Sequence, residues 1–193
     1  MKSLLLAAAM ASGASAAIAA PEKYDLDASH SQVVFSYNHL GFSTTTGMFS
    51  GFGGEIMFDA EDPANSSVSV SMPVMSMFTG WEARDAHFMA DDFFGATEGD
   101  VVTFTSTAIE VTGENTALIT GDLTMNGQTR SVVLETVLNQ AAPYPFGPKQ
   151  GVPTLGFDAT TTLLRSDFGL GAFAPAVSDE VEVFLSIEAW KAE

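Results

Sequence analysis

The sequence predicts an all-β fold of antiparallel strands, each with one buried and one wet face. Three observations carry this. Apolar residues recur at every second position through most of the chain, turn residues punctuate those runs, and there is no Cys to build a disulfide framework. A period of two is the repeat of a pleated strand, whose successive side chains point to opposite faces.

The first 19 residues stand apart from this pattern. Met1-Lys2 gives a short basic start, residues 4–10 an apolar run, and Ala17-Ile18-Ala19 an A-x-A site. Together they read as a secretory signal peptide cut after Ala19, because a cut after Ala20 would leave Pro21 at a disfavoured position. The run is short and Ala-rich, below the ~20 strongly apolar residues of a spanning helix. No Cys follows it for a lipid anchor. The expected product is one periplasmic or secreted domain over residues 20–193.

Within that domain a strand is expected over 23–27 and a second over 31–40, where Val33, Phe35, Tyr37 and His39 share a face. A third covers 45–58, broken at Gly53-Gly54. In 67–74, Val68, Val70, Met72 and Val74 alternate with Ser67, Ser69 and Ser71. Residues 81–94 depart from the period and predict one or two short helices, over 81–89 and 91–94, starting near Thr79 or Gly80. In 101–111, Val102, Phe104 and Ala108 alternate with Thr103, Thr105 and Thr107. Residues 117–125 place Ile119, Leu123 and Met125 on one face. Asn126-Gly127 then predicts a type I′ hairpin into a strand over 128–139. Residues 141–153 carry four Pro and two Gly and read as a loop. The last strands cover 154–165 and 180–190, the latter with Val181, Val183, Leu185 and Ile187 on one face. Strands in this number close as a barrel or as a sandwich, and periodicity leaves both open.

Charge and motifs narrow the function classes. There are 24 acids against 7 Lys and Arg, a net charge of -17, and cleavage would remove Lys2 but no acid. Such a surface repels nucleic acid and anionic headgroups, so no nucleic-acid partner is expected. No G-x-S-x-G, P-loop or H-E-x-x-H occurs, and the His residues at 30, 39 and 87 lie far apart, so no catalytic residues are expected. Asp85, His87, Asp91 and Asp92, or Met72, Met75 and Met77, could offer metal ligands. Met72, however, continues an apolar alternation, and Met fills irregular apolar space; no metal or cofactor is expected. Fifteen Phe against two Trp and three Tyr differ from the Trp/Tyr belts of an outer-membrane barrel. With Ser, Thr and Glu on the outer faces, water is expected outside and hydrocarbon inside, without stable membrane insertion.

A series of short motifs resembles the YceI family. The chain opens with Tyr24-Asp25-Leu26-Asp27-Ala28-Ser29-His30-Ser31, followed by Val34 and Phe35. His39, Gly47-x-Phe49, Arg84-Asp85-x-His87 and Asp92-Phe93-Phe94 come next. Gly121-Asp122-Leu123-Thr124-x-Asn126-Gly127 and Arg165-Ser166-Asp167-Phe168-Gly169 complete the series in family order. The chain departs from the family in having Gly99-Asp100 where a Tyr-Pro is usual, and in its Pro-rich 141–153 segment. The resemblance implies an extended, lipocalin-like antiparallel β-barrel of about eight strands. It also implies a carrier of polyisoprenoid chains, such as a quinone or polyprenyl phosphate, or of fatty amides, with no enzyme activity.

On that footing the inward faces are expected to form a dry tunnel for an isoprenoid tail. Val33, Phe35, Tyr37, Val70, Met72, Phe104, Leu123, Met125, Phe157, Val183 and Leu185 would line it, with Phe93 and Phe94 near a mouth. His39, Arg84 and His87 would meet the head group. Arg84 and Arg165 are expected to be neutralised by Asp85 and Asp167, which together with the acidic balance favours an uncharged head such as a quinone ring. The only partner expected is this apolar lipid, with a homodimer left open. A structural or stress-response barrel filled by its own side chains is the alternative, and an exported enzyme a further one.

Overall fold

The computed structural model describes residues 20–193, so the expected leader over 1–19 lies outside the described residues. Ten strands form: β1 Glu22–Leu26, β2 Gln32–His39, β3 Ser43–Phe49, β4 Gly53–Phe58, β5 Ser67–Pro73, β6 Val101–Val111, β7 Thr116–Met125, β8 Gln128–Pro143, β9 Pro153–Leu164 and β10 Glu180–Lys191. One α-helix, α1 Glu82–Phe88, lies between β5 and β6. All pairings are antiparallel, in the order β1-β4-β5-β6-β7-β8-β9-β10, and β10 pairs back onto β1. The result is a closed eight-stranded barrel, and it resolves the choice between barrel and sandwich.

Ten strands make eight staves because two staves are interrupted. β1 and β2 share one edge of β10, β1 through Leu26↔Ala189 and β2 through Val33↔Leu185. Between them Asp27 closes a side-chain turn, its Oδ1 accepting from the Ser29 N–H at 2.9 Å. The neighbouring stave is β3 followed by β4, which pair with β2 and β1. Its break falls at Gly51, whose φ of 71° leaves the β region, and Gly53-Gly54, expected as the break, begins β4 instead.

Three further elements differ from expectation for identifiable reasons. The register of β6 against β7 shifts between Ser106 and Ala108. This bulge exchanges the faces, so that Val102 and Phe104 point inward before it and Ile109 and Val111 after it, and Ala108 is exposed. β8 extends to Pro143, opposite Pro153 at the last pair of the ladder, where a missing N–H is tolerated. Residues 91–94 form turns, so there is one helix in this segment. Asn126 and Gly127 adopt the positive φ values of the expected hairpin, 50° and 67°.

The core divides along the barrel. Val33, Phe35, Phe49, Phe52, Met72, Val74, Met77 and Val102 are buried together beneath α1. Tyr24, Ile56, Leu155 and Ala189 form a second buried cluster near the opposite end. Among the described residues no helix is long and apolar enough to cross a membrane.

Candidate functional site

The inner faces of the strands do not meet across the barrel. They enclose a cavity of about 1050 Å³, at the upper end of the range for small-molecule sites. This explains an otherwise odd burial pattern: Leu123, Met125, Phe157, Val183 and Leu185 point inward yet are only half-buried. Room for large rings comes from close approaches across the wall. Gly121 lies against the Phe104 ring and Gly47 against that of Phe35, where any Cβ would clash.

Every residue expected to line a tunnel does border this cavity: Val33, Phe35, Tyr37, Val70, Met72, Phe93, Phe94, Phe104, Leu123, Met125, Phe157, Val183 and Leu185. So do His39, Arg84 and His87. Sequence reasoning passed over Ile109 and Val111, whose parity the bulge inverts. It also passed over Phe49, Phe52 and Phe88, which lie at a strand end, in a break and on α1.

Charged and titratable lining residues are sorted to one end. His39, Arg84, His87 and Arg165 cluster at the mouth next to α1, while Glu114 sits in the β6–β7 turn at the far end. Arg165 extends the inward parity of β9, following Phe157, Ala159, Thr161 and Leu163, and that periodicity is the signal that could have found it.

Neither arginine is neutralised as expected: among the described residues no carboxylate lies within 4.0 Å of Arg84 or Arg165 in an ion pair. Arg165 is buried, and its guanidinium donates to the carbonyls of Ser178 (2.8 Å), Ala172 (2.7 Å), Val177 (2.8 Å) and Leu170. Burial pushes its pKa down, opposed by the charge of Asp179. The four carbonyls belong to the β9–β10 connection, so Arg165 staples that loop over the mouth. Arg84 spends its donors on Thr79, Nε to Oγ1 at 2.8 Å and Nη2 to the carbonyl oxygen. Asp85 accepts from the Thr79 N–H at 2.9 Å and from its hydroxyl, so both residues brace the start of α1.

Aromatic contacts fix the rest of the mouth. Tyr37 meets Phe88 edge-on at 6.1 Å, and Phe93 packs against Phe88, His87 and Phe173. His87 Nε2 lies 2.9 Å from Asp92 Oδ2. Of the residues weighed as metal ligands in this segment, His87 and Asp92 thus come together, but with Asp85 and Asp91 they make no group of three ligand atoms among the described residues. Among the described residues one group of three possible ligands does, Asp27, His30 and Glu188, outside the cavity at the break between β1 and β2. There His30 Nδ1 is 2.6 Å from Asp27 Oδ2.

Comparison with known proteins gives a consistent picture. The YceI-like domain family matches residues 24–189. A UPF0312 protein of Ectopseudomonas mendocina is 38% identical over 188 residues, covering 97% of this chain and 95% of the relative. The crystal structure of Burkholderia cenocepacia BcnA superposes with a TM-score of 0.73 at 26% identity, over 85% of this chain and 99% of that one. A polyisoprenoid binding domain from Saccharophagus degradans has the same fold, with a TM-score of 0.67 at 14% identity, over 88% of this chain and 98% of that one.

Proposed function

The chain belongs to the YceI family, and on that premise we propose that it is an exported carrier that holds a long apolar lipid, an isoprenoid, inside its barrel. The observation that carries this reading is the apolar cavity running from the α1 mouth to the β6–β7 turn. The fold shared with a domain described as polyisoprenoid-binding supports it. No chemistry is assigned to the site. Export to the periplasm or the medium rests on the leader, and N-terminal sequencing of the mature protein is expected to begin at Ala20.

Tail burial suffices to hold such a ligand. One methylene is worth ~0.8 kcal/mol, so a five-carbon unit contributes on the order of 3 kcal/mol. A few units already approach the strength of useful binding, before the losses from ordering the tail and from leaving a membrane. The head then sets orientation. Four of the five Arg165 N–H donors are committed to carbonyls and, among the described residues, no carboxylate pairs with it within 4.0 Å, so the donor and positive charge that remain at the α1 mouth favour a head that accepts hydrogen bonds. This replaces overall charge as the criterion. A quinone ring meets it through its carbonyls, with His39 and His87 as further partners.

Extraction of the protein purified from its native compartment, followed by mass spectrometry, tests the reading. The expected result is an isoprenoid quinone near one per chain. A polyprenyl phosphate as the dominant species would overturn the neutral head. Absence of any lipid, with no uptake of an apolar probe, would overturn the carrier and favour a structural barrel.

A further inference from the structure

We propose that the apolar collar around the α1 mouth is a docking surface for a zwitterionic lipid bilayer, through which the cavity exchanges its ligand; the exchange rests on the carrier reading, the docking does not. The collar consists of Leu40 and Phe42 in the β2–β3 turn, Trp81 before α1, and Phe173 in the β9–β10 connection. They are 49%, 89%, 63% and 59% exposed. Large apolar side chains at such exposure are ordinary singly, but these share one rim. The Leu40 N–H donates to the Ala176 carbonyl, joining the turn to the β9–β10 connection, and Phe173 packs on Phe93 beside α1.

Three features point to a bilayer. First, Leu40, Trp81 and Phe173 also line the cavity, so the exposed rim and the apolar interior form one continuous surface. At the far end Val111 is the single exposed large apolar lining residue among those described, and the rest of that rim is Pro63, Ser66 and the turn 113–116, with Glu114 at its tip. Second, Leu40 and Phe173 hold positive φ, 56° and 63°, a region that bulky non-Gly residues rarely adopt. The fold keeps two apolar side chains at the rim on unfavourable backbone, as is found where a conformation serves a function. Third, Leu40, Phe42, Trp81 and Phe173 all lie in turns or connections at the rim and not on the strands of the wall, where side chains are free to enter the outer ~5–10 Å of a membrane. The surrounding charge selects the lipid. Glu82, Asp91 and Asp92 are exposed on the α1 segment and the whole chain carries -17, which repels anionic headgroups and leaves zwitterionic ones unopposed.

The test uses the mature chain with Trp190→Phe, which leaves Trp81 as the single indole. With phosphatidylcholine vesicles, Trp81 emission is expected to move to the blue and the protein to float with the lipid. Added phosphatidylglycerol should weaken binding at low salt, and raised salt should restore it. Phe42→Ser should weaken vesicle binding roughly tenfold, the loss of one buried Phe side chain. Because Phe42 does not line the cavity, uptake of an apolar fluorescent probe from vesicle-free solution should be unchanged in this variant. Unshifted Trp81 emission, or equal vesicle binding by Phe42→Ser, would overturn the docking surface. So would a dimer, seen by light scattering, that Phe42→Ser dissolves. Failed probe uptake by the parent would overturn the carrier reading alone, and vesicle binding would still decide the collar.

Discussion

A guanidinium carried into an apolar barrel has to be met donor by donor, and Arg165 is met by carbonyls spread from Leu170 to Ser178. A Lys at this position has three donors on a point charge and lacks the fork that reaches them. Arg165→Lys is therefore expected to lower stability by about 2 kcal/mol or more in urea unfolding, because acceptors are left unmet. Unchanged stability would contradict the staple. The Asp27–His30 pair gives a pH signature. Burial raises the Asp27 pKa, but hydrogen bonds from Ser29 and His30 outweigh it and hold the carboxyl below its ordinary value. The hydrogen bond to Asp27, aided by its charge, holds His30 above its own. The lowered carboxyl stabilises the fold above its unfolded pKa of about 3.9, and the raised imidazole below its unfolded pKa of about 6.5. The Tm difference between the parent and His30→Ala should thus be widest between about pH 4 and 6.5, and shrink as the pH rises through the His30 pKa. A difference that stays constant into the alkaline range would contradict the pairing.

Among the elements, β6 and β7 show how much one residue of register decides. Phe104 reaches the cavity only because Gly121 on the paired strand has no Cβ to obstruct its ring. Gly121→Val should cost about 1–3 kcal/mol by overpacking, and Phe104→Leu in the same chain should recover part of it, read from denaturant midpoints. Equal stability of all three proteins would mean that the ring has another place to go. The inward parity of β2, β5, β7 and β10 was legible because each strand keeps one alternation throughout. In β6 it was not, because Ala108 and Ile109 are both apolar and only the bulge tells which of them faces in. The interruption between β3 and β4 was legible as the Gly53-Gly54 signal, but the Gly51 break and the β4 start at Gly53 depend on pairing with strands remote in sequence.

At the scale of the whole molecule, a strongly acidic surface encloses a cavity whose charged lining is sorted, cationic groups at the α1 mouth and Glu114 at the far end. Net charge alone pointed to a neutral head by assuming that each arginine had an adjacent carboxylate. The loop that supplies the Arg165 carbonyls begins five residues further on, and its path over the mouth is a tertiary fact that no local pattern encodes. The antiparallel strands and most inward faces were legible from periodicity, and barrel closure from the family resemblance, whereas Phe49, Phe52, Phe88 and the later half of β6 were not, and the mouth was only partly so. The carrier reading requires the space between the inward faces to be the binding site, and narrowing it is the most direct challenge. Val183 is half-buried on the cavity wall, paired with Thr161 and Phe35 on either side, so Val183→Trp should fill space rather than break the sheet. Native mass spectrometry of delipidated parent and variant, each re-exposed to an isoprenoid quinone, tests this. The expected result is a one-to-one adduct on the parent, weakened at least roughly tenfold in the variant, the equivalent of about two buried methylenes. No adduct on the parent, or equal adducts on both folded proteins, would contradict a ligand held inside the barrel.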